Sequence, residues 1–379
     1  MLYTTRPRDI PPYKQVPCYT EFGFTDPEPV FLYDELDSNL NGIELEDAFT
    51  SVVWAELRTN PRSRLLINFI GDFLNLHDIS KFKRALERHK VPSQSVWITV
   101  MDANVVDFVR EHLPYVHCQA YNLLMYRVEP QTIRDSDPNY RFSILSRNYR
   151  PWRLEFYLGL LKAGVLERSV YSFHNIDPYN QVKPSYSIHE LISDAQSAGY
   201  TLEDQDVQRW LSQLPYNLPG ASKYDKHNTV TTDTIRRAGV HLLIESHWDP
   251  FYYWANYRGM DPREFSPGFP TEKTYKAIAC ARPFIAVSTP YFLESLKRLG
   301  FKTFSPWIDE SYDREPDNSQ RMRLIIKEAQ RINGLSQEEY RALLAGTARI
   351  ALENYYHFQQ LQKEDTLTGE WAWLKEYIK

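Results

Sequence analysis

The chain has 379 residues, a formal net charge of −5, and 25% charged and 42% hydrophobic residues. This composition is typical of a soluble globular protein and excludes a largely disordered chain. The acidic balance gives no general attraction to nucleic acid, although a local basic groove is compatible with it. Three cysteines without a CxxC pattern and an N-terminus without an apolar signal region predict a cytoplasmic location, which is the host cytoplasm if the protein is viral. No apolar run is long enough for a membrane helix, so no membrane partner is expected.

The first part of the chain alternates between strands and helices. Residues 1–30 contain several prolines and predict an irregular arm. After this arm the predicted strands are 30–33, 63–70, 95–101 and 123–128, and the predicted helices are 79–89 and 105–113. This alternation predicts a parallel sheet with helices on both faces. Because a polar, proline-containing stretch follows, we assign residues 1–140 to an N-terminal Rossmann-like domain.

The alternation then restarts. The predicted strands are 142–146, 169–173, 240–245, 284–287 and 301–304, and the predicted helices are 151–163, 187–213, 271–281 and 291–299. Residues 141–315 are therefore assigned to a second Rossmann-like domain. Residues 316–379 are predicted to form C-terminal helices that pack across the domains. The fold class is α/β, with two domains facing a cleft.

One candidate site lies where a helix begins after the strand that ends in Glu245-Ser246. Thr271 is a good N-cap, so Glu272 and Lys273 fall in the first helical turn. Lys273 and the N–H groups of that turn could hold a diphosphate, and Glu272 could accept hydrogen bonds from ribose hydroxyls. The alternative is an ordinary capped helix with a solvated Lys273.

A second candidate site is the strand-to-helix junction from Ser146 to Arg153. It contains three arginines, and Pro151 marks the helix start. Arg147 and Arg153 suit phosphate because the planar guanidinium makes paired hydrogen bonds. The alternative is a group of salt-bridged surface arginines.

Together these motifs, in this order, resemble the donor half of the α-1,3-fucosyltransferase family over residues 142–287. The resemblance implies a GT-B enzyme that uses a nucleotide sugar. It places the donor diphosphate on Arg153 and Lys273, the ribose on Glu272, and Glu245 near the donor. The candidate donor-binding residues are Ser146, Arg147, Arg153, Glu245, Ser246, Thr271, Glu272 and Lys273. Residues 299–313 resemble phage and bacterial relatives more than the eukaryotic enzymes.

The resulting prediction is an inverting glycosyltransferase that moves a sugar from a nucleoside-diphosphate sugar to a hydroxyl group. No cofactor and no essential metal are expected. The catalytic base should come from the first domain, where Asp72 and Asp102 each follow a predicted strand. The alternative for both is an aspartate that caps the next helix or turn. Two D-x-D triplets, at 135–137 and 204–206, follow no convincing strand and are not assigned to a metal.

The acceptor is a glycan or a modified DNA base. In the second case the protein would be a phage-type DNA-modification enzyme acting on a hydroxylated base, which tyrosine and tryptophan rings could stack. A third hypothesis from another class is a non-catalytic nucleotide-sugar binding protein on the same fold.

Overall fold

The structure is a computed structural model, and it contains two compact units. The first unit comprises residues 1–126, 251–269 and 365–379, and the second comprises 127–250 and 270–364. Within these units the structure describes residues 2–4, 30–34, 45–47, 49–69, 76–100, 103–120, 128–133, 138–146, 149–174, 186–197, 205–218, 229–248 and 270–365.

The division between the units falls after residue 126, whereas the sequence placed a boundary near residue 140. Backbone hydrogen bonding explains this position, because Gln131 N–H donates to Ala279 O at 2.9 Å. Side chains of the last helix add to it, since Tyr355 Oη donates to Gln131 O and Gln362 Nε2 donates to Val128 O. The last helices up to residue 364 belong to the second unit. Their predicted packing across both domains stays a prediction.

The described part of the first unit is a parallel sheet with three α-helices. The strands follow one another in sequence order across the sheet. They are β1 (Leu2–Thr4), β2 (Val30–Asp34), β3 (Arg64–Phe69), β4 (Val96–Val100) and β5 (His117–Ala120). The helices are α1 (Ser51–Thr59), α2 (Leu76–His89) and α3 (Ala103–His112).

Two predictions for this unit were inexact. Residues 2–4 pair with β2, although the sequence predicted an irregular arm there. The fifth strand lies at His117–Ala120, while most of the strand predicted at 123–128 lies outside the described residues. The core is as expected for a parallel sheet, because Leu65, Leu66 and Ile67 of β3 are all fully buried.

The described part of the second unit is a parallel four-stranded sheet with eight α-helices. The strands are β6 (Tyr140–Leu145), β7 (Ser169–Ser172), β8 (Ala238–Ile244) and β9 (Phe284–Val287). The helices are α4 (Pro151–Lys162), α5 (Ile188–Ser197), α6 (Gln205–Ser212), α7 (Thr229–Arg236), α8 (Glu272–Ala279), α9 (Phe292–Arg298), α10 (Asn318–Gly334) and α11 (Gln337–Asp365). Two parallel sheets with connecting helices confirm the predicted α/β class.

The strand order in this sheet is β7-β6-β8-β9. The chain therefore moves to one side from β6 to β7 and to the other side from β8 to β9. The strand order reverses between β6 and β8, and open α/β sheets bind ligands outside the carboxyl ends of the strands at such a point. Since crossovers between parallel strands are right-handed, the two directions place α4 and α8 on opposite faces of the sheet.

The strand predicted at 301–304 was wrong. The backbone at Lys302 pairs with a side chain instead of a strand, because its N–H donates to Asn354 Oδ1 and its carbonyl accepts from Asn354 Nδ2, each at 2.8 Å. The N–H of Phe304 donates to Glu310 Oε1 at 2.6 Å. Side chains of α11 and of the following turn thus satisfy the backbone groups that would form a β-ladder.

Gly239 in β8 leaves room for a residue of α11. A Cβ at this position would lie 2.0 Å from the Tyr340 hydroxyl oxygen. Tyr340 is buried, and its hydroxyl donates to Arg141 O at 2.9 Å. We therefore expect Gly239→Ala to lower the free energy of unfolding by about 1–3 kcal/mol, measured by urea denaturation. Gly334→Ala is the control, because a Cβ there meets no atom within 4 Å. Equal stability of both variants would contradict this packing.

Candidate functional site

The two sequence clusters meet at the carboxyl edge of the second sheet, at the β6/β8 switch point. Ser146 directly follows β6, and Glu245 and Ser246 directly follow β8. Arg153 in the first turn of α4 donates from Nη2 to Glu245 O at 3.0 Å. Lys273 in the first turn of α8 donates from Nζ to Ser246 Oγ at 2.9 Å. The end of β8 thus connects the starts of both helices.

Glu245 holds the start of α8 in place. Its carboxylate accepts hydrogen bonds from Thr271 N at 3.1 Å, Thr271 Oγ1 at 2.6 Å and Ser246 N at 3.1 Å, and a further bond from Thr274 Oγ1. Glu245 is only 2% exposed. Burying a carboxylate is costly unless it is paired or hydrogen-bonded, and here four donors and a helix N-terminus compensate for that cost. The contacts of Glu245 are those of a structural anchor.

The predicted N-cap of α8 is present. Thr271 Oγ1 accepts from the N–H of Lys273 at 3.3 Å. The ammonium group of Lys273 also contacts Glu272 Oε1 at 3.1 Å. Burial raises the pKa of Glu272, but the charge and hydrogen bond of Lys273 and the charge of Lys276 outweigh burial and hold the pKa below its ordinary value. Glu272 is therefore ionised at neutral pH beside the cation.

Positive charge from two helix starts influences the pKa of His247. Burial lowers the pKa of His247 to about 3, and the neighbouring cations Lys273, Arg150 and Arg153 lower it further in that direction. Arg150 is the residue before Pro151 and forms the N-cap position of α4. The charges of three cations at the starts of α4 and α8 thus act on one imidazole, and such a local positive charge suits the binding of a multiply charged anion.

The sign of the His247 effect gives a testable pH dependence. The unfolded chain takes up a proton on this ring below about pH 6.5, whereas the folded protein does so only near pH 3. Folding stability therefore falls as the pH decreases through this window. We expect His247→Gln to lose less stability than the wild type between pH 7.5 and 5.5, measured by urea denaturation. The buried His241, whose pKa is lowered to about 4, is present in both proteins. Its contribution to the pH dependence is therefore the same in each and does not affect the comparison. Equal losses would contradict the proposed environment of His247.

An aromatic and cationic stack borders the same edge. The indoles of Trp152 and Trp248 stack with centroids 5.4 Å apart, and the guanidinium of Arg321 lies 4.2 Å from the Trp248 ring centroid. Arg321 is 1% exposed and donates to Trp248 O at 2.7 Å and to Ser288 O at 3.1 Å. Since these carbonyls follow β8 and β9, Arg321 of α10 fixes the carboxyl ends of both strands.

Sequence reasoning did not select Arg150, His247 or Arg321 as site residues. Arg150 could have been selected because it precedes the proline that starts α4, where a side chain lies beside free helical N–H groups. His247 follows Glu245-Ser246 directly, so its position after a strand was a usable signal. Arg321 had no such signal, because the carbonyls of Trp248 and Ser288 that it binds at the ends of β8 and β9 are distant in sequence.

Of the other predicted site residues, Ser146 is buried after β6, and its N–H donates to Ser172 O at 3.1 Å. Arg147, Asp72 and Asp102 lie outside the described residues, so their roles stay predictions. Within the described ranges, no group of three or more His, Cys, Asp or Glu side chains is arranged to hold a metal ion. In the same part of the chain, none of the helices is both long and apolar enough to cross a membrane.

Comparisons with known proteins gave structural likeness but no match by sequence. No family model matches the chain, and no curated protein matches it. The structure is similar to that of a UDP-forming α,α-trehalose-phosphate synthase from Burkholderia xenovorans, with 10% sequence identity and a TM-score of 0.44. The likeness covers 88% of this chain and 72% of that chain. A likeness at this level does not specify a substrate or a reaction.

Proposed function

We propose that the second unit binds the diphosphate of a nucleotide sugar and that the protein is a GT-B glycosyltransferase. The observation that carries this proposal is that Arg153 and Lys273, from the first turns of α4 and α8, both donate to the end of β8 at Glu245 O and Ser246 Oγ, at the strand-order switch point of a parallel sheet. Ligands of open α/β sheets bind at this place, and phosphates favour helix N-termini with nearby cations.

The charges of the described site favour an anion with more than one negative charge. The three cations are opposed by two carboxylates, Glu245 and Glu272. Glu245 is already saturated by hydrogen bonds from the α8 start, so it does not compete for the cations. A diphosphate that bridges the starts of α4 and α8 would contact cations from both helices at once. A neutral sugar alone would bring no negative charge to these cations.

The same residues suit the chemistry of glycosyl transfer. In the proposed reaction the bond between the anomeric carbon and the diphosphate oxygen breaks, and its electron pair goes to that oxygen. Fixed cations at the diphosphate stabilise the charge that develops there. The acceptor hydroxyl forms the new bond and gives its proton to a base. For inversion this base must lie on the opposite face of the sugar from the leaving group, and Asp72 and Asp102 are the candidates.

Calorimetric titration of the whole protein with a panel of nucleoside diphosphates tests the donor site. We expect one nucleoside diphosphate to bind with a dissociation constant in the micromolar to low millimolar range, tightening at low salt. Absence of binding by every member would contradict the proposal. Turnover is tested by the release of nucleoside diphosphate from the matching nucleotide sugar, with glycan and hydroxylated-base DNA acceptors. Binding without any release would instead indicate a non-catalytic binding protein.

A further inference from the structure

A cavity of about 610 Å³ lies at the opposite end of the second sheet from the candidate donor site. The amino ends of β6 and β7 and the connection between α10 and α11 border it. Its lining residues include Tyr140, Arg141, Arg168, Ser336 and Tyr340. The length of β6, about 17 Å, separates the cavity from the carboxyl edge of the sheet. A small ligand in this cavity would therefore not contact the residues that are proposed to bind the donor.

The register of β6 and β7 places two arginines side by side at the cavity. Phe142 of β6 pairs with Ser169 of β7, and Arg141 and Arg168 each precede one member of this pair. Burial lowers the pKa of the Arg141 guanidinium, and the charge of Arg168 lowers it further. Like charges at opposing positions of neighbouring strands are destabilising. A negative charge between these two arginines would therefore stabilise this edge of the sheet.

The hydrogen bonds of both arginines position the guanidinium groups without neutralising them. Arg141 donates to Ile332 O at 2.7 Å and to Leu335 O at 2.6 Å, and Arg168 donates to Asn333 O at 3.4 Å. These carbonyls lie at the end of α10. A helix C-terminus is equivalent to only about half a negative charge, so it offsets a small part of two full positive charges.

Arg141 is buried without a carboxylate partner among the described residues. It is 9% exposed, and a buried arginine is usually paired with an acidic group. The ion pairs within the described ranges involve other residues. The ring of Tyr340 lies 4.6 Å from the Arg141 guanidinium, which is a cation–π contact and brings no full negative charge.

The charged residues that line the cavity are Arg141, Arg168 and Glu167, so the lining is positive on balance. Glu339 lies nearby at the start of α11, but its carboxylate accepts from Ser336 N at 2.8 Å and caps that helix. Because the start of α11 is capped by its own side chains, the arginines are the groups that would bind an anion.

We propose that this cavity is a second ligand site, which binds a small phosphate monoester with a hydroxylated organic part. A phosphate monoester carries nearly two negative charges at neutral pH, which matches two guanidinium groups. The planar fork of arginine makes paired hydrogen bonds with phosphate oxygens. Asn139, Ser336 and Gln337 also line the cavity and offer donors and acceptors to hydroxyl groups. This proposal is independent of the function proposed for the carboxyl edge.

Calorimetric titration of the whole protein with inorganic phosphate, glycerol 3-phosphate and ribose 5-phosphate tests the ligand class. We expect ribose 5-phosphate to bind with a dissociation constant of about 10 μM to 1 mM. Ribonate, which carries a single carboxylate in place of the phosphate, should bind about tenfold more weakly or less. Equal binding of ribonate would contradict the choice of a phosphate ligand. Absence of binding by all three phosphate compounds would overturn the proposal.

Replacing Arg168 with methionine tests the place of binding. Arg168 is exposed and its described hydrogen bond is long, so the fold should tolerate the change. We expect the affinity for ribose 5-phosphate to fall about tenfold or more. Arg349→Met is the matched control, because the Arg349 side chain is 87% exposed in the middle of α11, and it should change the affinity by less than about twofold. If Lys273→Met abolished this binding and Arg168→Met did not, the phosphate would lie at the carboxyl edge and the second site would be wrong.

Chemical labelling locates the ligand without a substitution. Phenylglyoxal reacts with exposed guanidinium groups, and peptide mass spectrometry measures the labelling rates of Arg168 and Arg349. Ribose 5-phosphate at about ten times its dissociation constant should slow the labelling of Arg168 about tenfold and leave that of Arg349 unchanged. An unchanged rate at Arg168 would overturn the proposal, even if the protein binds the ligand elsewhere.

Discussion

Replacing Lys273 with methionine is expected to weaken nucleoside diphosphate binding by about tenfold to a hundredfold. Methionine keeps much of the length of the side chain but removes the ammonium group that contacts Ser246, Thr271 and Glu272. Hydrogen bonds to charged groups contribute about 1.5–3 kcal/mol, and about 1.4 kcal/mol corresponds to a factor of ten. Calorimetric titration of both proteins at the same ionic strength measures the change.

Lys297→Met is the control for this substitution. Lys297 is an exposed lysine in the last turn of α9, so its replacement removes the same charge from the same unit. The control should bind the nucleotide as the wild type does. A Lys273→Met protein that unfolds at the wild-type temperature and keeps wild-type affinity would place the diphosphate elsewhere.

Replacing Glu245 with alanine is expected to cause the largest loss of stability among the site residues. The substitution leaves the N–H and hydroxyl of Thr271, the hydroxyl of Thr274 and the N–H of Ser246 without their acceptor in a buried place. A buried donor without an acceptor costs about 1–3 kcal/mol, so we expect a loss of about 3 kcal/mol or more. Urea denaturation followed by tryptophan fluorescence measures it. Nucleotide binding should be lost as well, because the start of α8 is no longer held.

Two comparisons make the Glu245 result interpretable. Glu245→Gln keeps one side-chain oxygen as an acceptor and should lose less stability than the alanine variant. Glu338→Ala, at an exposed position, should change stability by no more than about 0.5 kcal/mol. If Glu245→Ala and Glu338→Ala were equally stable, the anchoring role of Glu245 would be wrong.

The sequence predicted most elements of the second unit because their signals are local. Pro151 marks the start of α4, and Thr271 caps α8 as expected. Gly300 has a φ of +86° just after α9, which is the backbone conformation that glycine adopts most readily. The segment 301–304 was misassigned because its backbone partners are Asn354 and Glu310, which no local pattern could indicate.

The candidate site was predicted in its residues but not in its contacts. Spacing alone placed Arg153, Glu245 and Lys273 at element ends, and the structure brings these three together. The strand order that creates the switch point depends on pairing between distant segments and could not be predicted from periodicity. The family resemblance placed Glu245 near the donor, whereas its carboxylate oxygens are engaged by the start of α8. A direct contact of Glu245 with the donor stays a prediction.

A crystal structure of the whole protein with the nucleoside diphosphate that binds most tightly would test the central claim most directly. The account predicts diphosphate oxygens within hydrogen-bond distance of Lys273 Nζ and of Arg150 or Arg153, with the ribose near Glu272. Diphosphate density at another place would contradict it. One such place is the cavity of about 610 Å³ at the opposite end of β6, which Arg141 and Arg168 line.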